Sequence, residues 1–385
     1  MKLAIVTSTR ADYGLLKPIL DELTKIPNQI QFYLIVTGTH LSKKYGMTIN
    51  EIMNDNIKIY KKIEIPLAND CESDIANDMA KTLVSFTNVF KEESFDFVLL
   101  LGDRYEMLMI ALAATLVKLP ILHLYGGDTT EGAMDEYIRH SITKMSYIHF
   151  VSNVISKKRV IQLGENPDRV FCVGSTGIDN ILNSELYDED EIRELLSLNK
   201  NSNIALGTYH PVTFENYSGN NDLIQYLDAL KEFKDIEFII TKSNSDLGGE
   251  QINKILDEWA NRIPNLHVYS SLGMKKYLSI MRISEFVIGN SSSGLFETPS
   301  FKIPTINIGN RQKGRLQASS VINSDGDTES ICKAITYALS DTFKKVCLNT
   351  ISPFGDGHAA INILKVLLSL EKKDVSLLKK FYNIY

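Results

Sequence analysis

The segment Glu285-Phe-Val-Ile-Gly-Asn-Ser-Ser-Ser-Gly294 joins an apolar, strand-like run to three consecutive serines just before a predicted helix start. A strand that ends in small hydroxyl residues and leads into a helix presents free backbone N–H groups and a positive dipole end, which suits a phosphate. Downstream, Arg311 and Arg315 could neutralise an anion, and Glu297 could accept hydrogen bonds from a ribose. The simplest interpretation of the run alone is a serine-rich helix cap, so the phosphate hypothesis depends on the rest of the chain.

Apolar runs alternate with helical patterns before and after this segment. Strands are predicted at 2–7, 30–36, 96–101, 119–125, 147–151, 203–208, 236–241, 266–269, 285–289 and 304–308. Helices in the first half are predicted at 13–25, 74–93, 105–117 and 135–145. Such alternation is typical of parallel sheets with helices on both faces. The chain is therefore predicted to be an α/β protein with two Rossmann-like domains that face each other across a cleft.

The length of 385 residues is too great for one ordinary core and also predicts two domains. A predicted strand ends in Gly174-Ser-Thr-Gly177 and indicates the join, so the predicted domains are residues 1–175 and 176–357. The turn Ser352-Pro-Phe-Gly-Asp-Gly357 leads into a last helix, and residues 358–385 are expected to return to the first domain.

Composition excludes several classes of function. The net charge is −6 and the isoelectric point about 5.7, with no basic arm or patch, so nucleic acid is not an expected partner. The four cysteines show no paired or zinc spacing, and no His/Asp/Glu cluster has metal spacing. No apolar run approaches the length of a membrane span, and the apolar start of the chain is too short for a signal peptide. We therefore expect a cytoplasmic protein with no metal and no membrane partner. We also expect no cofactor.

Polar residues follow the predicted strands of the first half, at the edge where open parallel sheets bind ligands. Arg10 follows the first strand and is placed to meet an anion. Asp103 and Asp128 follow two strands of one βαβ unit, so they are expected to share a sheet edge if those strands are neighbours. An aspartate after a strand often caps a helix, which is the structural alternative for each of them.

A helix shortly after these strands carries two charged pairs at a spacing of four residues. Asp135 with Arg139 lies on one face of the helix, and Glu136 with His140 lies on the next. Carboxylates that converge on a strand edge near arginines suit general acid and base chemistry. Taken alone, Asp135 and Arg139 indicate a structural ion pair.

In the second half, His210 is the best candidate for a functional histidine. The strand at 203–208 runs into Tyr209-His-Pro211, and the proline keeps the chain extended and exposes His210 at the sheet edge. The strand at 236–241 ends in a polar run that contains Asn244. The serine run lacks the G-x-S-x-G elbow of the α/β-hydrolases, so no catalytic triad is expected.

Together these residues resemble the hydrolysing UDP-N-acetylglucosamine 2-epimerases of bacterial sialic and legionaminic acid biosynthesis. The resemblance runs over essentially the whole chain. It rests on seven ordered motifs, which are Thr9-Arg-Ala-Asp-Tyr-Gly14, Gly102-Asp-Arg-Tyr-Glu106, Gly126-Gly-Asp-Thr-Thr-Glu-Gly132, Asp135-Glu-Tyr-Ile-Arg-His140, His210-Pro-Val-Thr213, Gly289-Asn-Ser-Ser-Ser-Gly294 and Ile308-Gly-Asn-Arg-Gln-Lys-Gly-Arg315. It implies a GT-B fold with the nucleotide sugar between two domains and the terminal helix crossing back.

The resemblance also implies a site and a reaction. The residues implied to hold the UDP-sugar are Arg10, Arg104, His210, Asn244, Ser291, Ser292, Glu297, Arg311 and Arg315. The implied reaction is metal-free: the C2 proton is removed and UDP is expelled to give a glycal, and water then adds to release the 2-epimer as a free sugar. Asp103 and Asp135 match the catalytic carboxylates of the family, and His210 is a further acid or base candidate.

One position departs from the family. Many members carry a glutamate where this chain has Tyr125, and Asp128 and Glu131 are the candidates to take its place.

Several alternatives remain open at the level of sequence. The sugar is either UDP-N-acetylglucosamine, giving N-acetylmannosamine, or UDP-2,4-diacetamido-2,4,6-trideoxyglucose (UDP-N,N'-diacetylbacillosamine), giving the matching mannose compound. A GT-B glycosyltransferase would share the fold and the UDP site, and a nucleotide-sugar sensor would keep the phosphate residues but gain nothing from the carboxylates. A non-hydrolysing epimerase would retain UDP. The resemblance favours the hydrolysing enzyme and implies a homodimer or higher homo-oligomer.

Overall fold

The computed structural model describes residues 1–43, 46–65, 72–129, 134–200, 202–210, 219–243, 249–370 and 375–384. Contacts divide the chain into two compact units. Unit 1 comprises Met1–Asn180 with Phe354–Tyr385, and unit 2 comprises Ile181–Pro353. The predicted domain limits at residues 175 and 357 lie near these divisions and remain predictions about the folding units.

Unit 1 is built around a parallel sheet of seven strands. They are β1 (Lys2–Thr7), β2 (Gln31–Thr37), β3 (Ile59–Ile63), β4 (Phe97–Leu101), β5 (Ile121–Leu124), β6 (Ile148–Val151) and β7 (Val170–Cys172). Their order is β3-β2-β1-β4-β5-β6-β7. The helices are α1 (Arg10–Thr24), α2 (Ile49–Asn54), α3 (Glu72–Glu92), α4 (Tyr105–Leu116), α5 (Met134–Met145), α6 (Val154–Gln162) and α7 (Thr176–Asn183), whose last residues belong to unit 2.

The sheet of unit 1 is apolar on both faces, as a parallel sheet covered by helices must be. In β1, Leu3 and Ile5 belong to a buried cluster that includes residues of α1. The alternate residues Ala4 and Val6 belong to a second cluster with residues of α3, α4 and α5. Because successive side chains of a strand point to opposite faces, helices cover both sides of this sheet.

Unit 2 has its own parallel sheet. Its strands are β8 (Asn203–Thr208), β9 (Ile236–Thr241), β10 (Leu266–Tyr269), β11 (Phe286–Gly289), β12 (Thr305–Ile308) and β13 (Val321–Ser324), in the order β10-β9-β8-β11-β12-β13. Its helices are α8 (Glu189–Leu195), α9 (Gly219–Lys231), α10 (Gly249–Ala260), α11 (Gly273–Ile283), α12 (Ser293–Phe296), α13 (Thr328–Ala338) and α14 (Asp341–Leu348). Two parallel sheets flanked by helices confirm the predicted α/β architecture.

The terminal helix α15 (Ala359–Ser369) belongs to unit 1, as predicted. Its buried residues Ala360, Ile363 and Leu367 join the core cluster that contains α1. The Asp179 carboxylate accepts hydrogen bonds from the backbone N of Ala359 at 3.0 Å and of Ala360 at 2.7 Å. These bonds satisfy two of the free N–H groups at the start of the helix and fasten it to unit 1.

All ten strands whose limits were predicted are present, and two further strands, β3 and β13, were not predicted. Both of these strands lie at a sheet edge, as does β7, for which the sequence predicted only a strand that ends at Gly174. The helix after the serine run is the single turn α12, followed by a 3-10 turn at Thr298–Phe301. Pro299 lacks the backbone N–H that would extend the α-helix, which explains the early end. Among the described residues, no helix is long and apolar enough to cross a membrane.

Candidate active site

The residues predicted to act on the sugar follow the strands of unit 1 at the carboxyl edge of the sheet. β4 and β5 are neighbours, and their last residues Leu101 and Leu124 are paired. Asp103 and Asp128 therefore leave the same edge of the sheet, as predicted. Gly102, between β4 and Asp103, has a φ of +104°, which glycine adopts far more readily than other residues, and it turns the chain out of the strand.

A buried arginine connects these two positions. Arg139 of α5 is 6% exposed, and its Nε donates to Asp103 Oδ2 at 3.0 Å while Nη2 donates to the same oxygen. Its Nη1 donates to the backbone oxygen of Asp128 at 2.9 Å. Both donations to Asp103 reach Oδ2 and neither uses Oδ1, on a side chain that is 30% exposed. The carboxylate is thus fixed in one orientation while its second oxygen is not taken up by the guanidinium.

The spacing predicted that Arg139 would pair with Asp135, and the structure instead pairs it with Asp103. Asp135 lies exposed in the first turn of α5, whereas Arg139 is on the buried side of the helix and meets the end of β4. The second predicted pair is confirmed, because His140 Nε2 lies 3.7 Å from Glu136 Oε1. The catalytic role of Asp135 remains a prediction.

The Asp128 carboxylate faces the start of α6. Its Oδ1 accepts hydrogen bonds from Ser152 Oγ at 3.4 Å and from Ser156 Oγ. Gly127, with a φ of +83°, lies so close to this turn that a Cβ would stand 2.5 Å from the Ser156 backbone oxygen. These contacts favour a structural part for Asp128, whose catalytic assignment remains a prediction. Glu131 lies outside the described residues.

Tyr125 stands where many family members carry a glutamate, and its hydroxyl group forms hydrogen bonds with the start of α7. Its hydroxyl oxygen accepts from Thr176 N at 2.9 Å and lies 2.7 Å from Thr176 Oγ1 and 3.1 Å from Ser175 Oγ. Burial raises the pKa of this phenol, so it stays neutral. Tyr125 therefore anchors the start of α7 and does not replace a carboxylate base.

Two arginines at this sheet edge are exposed enough to meet an anion. Arg10 is 74% exposed, and its Nε lies 3.0 Å from Glu51 Oε1, a surface pair that contributes little and can exchange for a ligand. Arg104 is 43% exposed and donates from Nε to the buried Glu106 at 2.7 Å. Burial by itself lowers the Arg104 pKa, but the Glu106 carboxylate more than offsets this and raises it, so the guanidinium stays cationic.

The serine run of unit 2 begins at a position that requires glycine. Gly289 ends β11 with a φ of +138°, and a Cβ there would stand 2.1 Å from the Thr208 backbone oxygen of the neighbouring β8. The next residue, Asn290, is buried; its Oδ1 accepts from His210 N at 2.7 Å and its Nδ2 donates to His210 O at 2.8 Å. These two hydrogen bonds fix the backbone of His210 beside the serine run. The His210 Nδ1 lies 3.2 Å from Ser243 Oγ.

One serine of the run holds the half-buried carboxyl group of Glu297. Ser291 is half-buried, Ser292 is exposed, and Ser293 Oγ donates to Glu297 Oε2 at 2.6 Å. The Tyr277 hydroxyl lies 2.9 Å from the same Ser293 oxygen. Burial raises the pKa of Glu297. Because α12 is a single turn, the helix dipole available to a phosphate is weaker than the sequence predicted, and the free N–H groups matter more.

The segment that contains Arg311 and Arg315 contacts the backbone at the start of the serine run. Arg311 Nη1 donates to the Asn290 backbone oxygen at 3.1 Å, and Gln312 Nε2 donates to the same oxygen at 2.8 Å. Gln312 is 1% exposed and supports the backbone of the serine run. The sequence did not predict this role, because a glutamine between charged residues gives no sign of burial. Arg315 is exposed, and Asn244 lies outside the described residues.

Known proteins resemble this chain over nearly its full length. The family model described as UDP-N-acetylglucosamine 2-epimerase matches residues 22–368. A curated relative, the GDP/UDP-N,N'-diacetylbacillosamine 2-epimerase (hydrolyzing) of Campylobacter jejuni, is 38% identical over 100% of this chain and 99% of its own. Polysialic acid biosynthesis protein P7 of Escherichia coli is 37% identical over 100% of this chain and 97% of its own.

Solved structures share the fold. The UDP-GlcNAc 2-epimerase of Neisseria meningitidis, solved bound to UDP-GlcNAc, has a TM-score of 0.79 at 21% identity and covers 96% of this chain and 100% of that one. At this identity the likeness concerns the fold alone. Together with the two parallel-sheet units, it confirms the predicted GT-B class.

Proposed function

The chain belongs to the UDP-N-acetylglucosamine 2-epimerase family, and from this premise we propose that it is a hydrolysing enzyme, which splits a UDP-sugar into UDP and the free 2-epimer of the sugar. The membership confirms the family expected from the seven sequence motifs and, with it, the class of enzyme. Support for hydrolysis comes from the C. jejuni relative, which carries that activity in its name.

The single observation that carries the proposal is the pairing of Asp103 with the buried Arg139. The C2–H of the sugar is a weak acid until the C1–O bond begins to break, so proton removal and UDP departure must be supported together. A carboxylate fixed through one oxygen, with its other oxygen free of the guanidinium, is suited to accept the C2 proton. In the second half-reaction water adds to the glycal, so that hydroxyl goes to C1 and a proton returns to C2. We assign Asp103 and Asp135 to these proton transfers.

We assign residues of unit 2 to the departing UDP. The exposed arginines of unit 1, Arg10 and Arg104, are separate candidates for contact with an anion. Ser291 and Ser292 offer hydroxyl and backbone donors, and Arg311 and Arg315 offer positive charge. Glu297, held by Ser293, is the candidate partner of the ribose hydroxyls. Charge that develops on the leaving diphosphate would be stabilised by these fixed donors.

For the sugar, the first candidate is UDP-N-acetylglucosamine, which would yield N-acetylmannosamine for sialic-type acids. The family description and the relative named for polysialic acid biosynthesis support it. The second candidate is UDP-N,N'-diacetylbacillosamine, which is favoured by the name of the C. jejuni relative. The homo-oligomer, the cytoplasmic location and a reaction without metal or cofactor remain predictions from sequence.

The test is to incubate the purified protein separately with the two UDP-sugars and to quantify UDP and free sugar by chromatography. We expect equal amounts of UDP and free 2-epimer from at least one substrate, with a higher kcat/KM deciding between them. Formation of the epimerised UDP-sugar without free UDP would show a non-hydrolysing enzyme. Release of UDP only when an acceptor is supplied would show a transferase, and either result would contradict the proposal.

A further inference from the structure

A buried carboxylate, Glu106, follows Asp103 in the chain and lies in the first turn of α4. The Glu106 side chain is 1% exposed, and its Oε1 accepts a hydrogen bond from Arg104 Nε at 2.7 Å. Arg104 itself is 43% exposed, so the pair joins the interior of unit 1 to its surface at the carboxyl edge of the sheet. The predicted reaction uses Arg104 and gives Glu106 no part.

Arg104 supplies the positive charge that Glu106 needs. The other donor to Oε1 is the Ser8 hydroxyl at 3.1 Å, and that hydroxyl also lies 3.2 Å from Asp12 Oδ2, so one proton is shared between two carboxylates. Among the described residues, Glu106 Oε2 is buried and has no hydrogen-bond partner. Since a buried carboxylate is costly unless it is paired, Glu106 holds Arg104 strongly in this position.

The hydrogen bond from Arg104 to Glu106 leaves both terminal nitrogens of the guanidinium to other partners. The bond to Glu106 uses Nε and therefore does not engage Nη1 or Nη2. Two parallel N–H groups of an arginine suit the oxygens of a phosphate, and a side chain already held in place loses less freedom when the ligand binds. A lysine at this position would offer neither a second point of attachment nor the fork.

We propose that Glu106 is a positioning residue, which clamps Arg104 through Nε so that the Nη groups meet the diphosphate of the nucleotide-sugar substrate. The inference rests on the proposed function, because it requires a substrate with a diphosphate. It goes beyond that function by assigning a role to a buried residue that does not itself touch the substrate.

The test is a double-mutant cycle on UDP binding, measured by titration calorimetry. Glu106→Gln keeps the shape of the side chain and an oxygen for Arg104 but removes the charge, and we expect UDP to bind about three- to tenfold more weakly. Arg104→Ala should weaken binding at least as much. If Glu106 acts through Arg104, adding Glu106→Gln to Arg104→Ala causes no further loss of affinity, because the two effects are not independent.

Thermal melting of the same proteins separates positioning from stability. Arg104→Ala leaves the Glu106 charge buried without its partner and should lower the melting temperature, and Glu106→Gln in that background should restore part of it. Glu165→Gln is the matched control: Glu165 is equally buried in unit 1 and is paired with Lys144, His149 and Lys379. We expect this control to lower the melting temperature and to leave UDP affinity unchanged.

Three results would overturn the inference: unchanged UDP affinity in Glu106→Gln, losses that add in the double variant, or an equal loss of affinity in Glu165→Gln. If Glu106→Gln does not fold, Glu106→Asp, which keeps the charge but withdraws it by one methylene, carries the same expected loss of affinity. Failure of the unaltered protein to bind UDP would contradict the proposed function itself. Normal UDP binding by that protein with no effect of Glu106 would contradict this inference alone.

Discussion

Replacing Asp103 by asparagine separates the chemistry of this carboxylate from its structural bonds. Asparagine preserves the shape of the side chain and an oxygen that can accept from Arg139, and Arg139 keeps its bond to the Asp128 backbone at 2.9 Å. The change keeps hydrogen bonds to the Arg139 cation but removes its counter-charge, and because Arg139 is buried we expect a loss of about 3 kcal/mol. A loss of this size lowers the melting temperature by about 6–12 °C.

The loss of activity is separate from this loss of stability. Proton transfer by a positioned side chain contributes about 10²- to 10⁴-fold to the rate, and an amide cannot accept the C2 proton. We expect kcat of Asp103→Asn to fall by that factor, measured as UDP release in single-turnover experiments. UDP affinity, measured by calorimetry, should stay within a few-fold of the unaltered enzyme because Asp103 is assigned to the sugar and not to the nucleotide.

Asp168→Asn is the matched control, since it makes the same change at an exposed aspartate of unit 1, and it should leave kcat unaltered. A folded Asp103→Asn enzyme with kcat within tenfold of the unaltered protein would refute the assignment of Asp103 to proton transfer. A loss of UDP affinity equal to the loss of kcat would move Asp103 to the binding of the nucleotide.

Three further changes probe unit 2. Gly289→Ala places a Cβ 2.1 Å from the Thr208 oxygen at a φ of +138°, so we expect a loss of at least about 3 kcal/mol of stability, and normal melting would contradict the described backbone. Asn290→Ala removes two hydrogen bonds to the His210 backbone, so we expect a loss of about 2 kcal/mol or more of stability and weaker UDP binding. Unchanged UDP affinity in calorimetry would show that His210 does not bind the nucleotide. Burial raises the Glu297 pKa above its ordinary 4.5, so the folded state binds this proton more tightly and stability falls as the pH rises above 4.5. Glu297→Gln should remove that fall, and a difference in melting temperature between variant and unaltered protein that is the same at pH 4 and pH 7 would contradict it.

The central strands were predictable because both faces of each are buried in a core. All residues of β4 are apolar and buried, and such runs stand out in a sequence. The edge strand β3, with two lysines between isoleucines, has only one buried residue and gives no such signal. The edge strand β13 ends in asparagine and serine and is likewise half polar. Edge strands have one neighbour and can be short, so composition alone does not reveal them.

The positions of the candidate site residues were predictable, but their partners were not. Parallel sheets bind ligands at the carboxyl ends of strands, which placed Asp103, Asp128 and His210 at the correct edges. The pairing of Arg139 depends on which side of α5 is buried, and it joins residues 36 positions apart in the chain. The two hydrogen bonds between Asn290 and His210 join residues 80 positions apart in the chain. The spacing of charged residues in a helix predicts contacts between residues four positions apart, but it cannot predict contacts between distant segments.

Proton NMR of the reaction in D₂O tests the proposed elimination and hydration. The enzyme, given UDP-N-acetylglucosamine or UDP-N,N'-diacetylbacillosamine, should release UDP together with the free 2-epimer carrying deuterium at C2. That result requires removal of the C2 proton, elimination of UDP and addition of water, as the proposed reaction does. Free sugar that keeps its C2 proton and its original configuration would show simple hydrolysis at C1, and it would rule out the proposed 2-epimerase reaction.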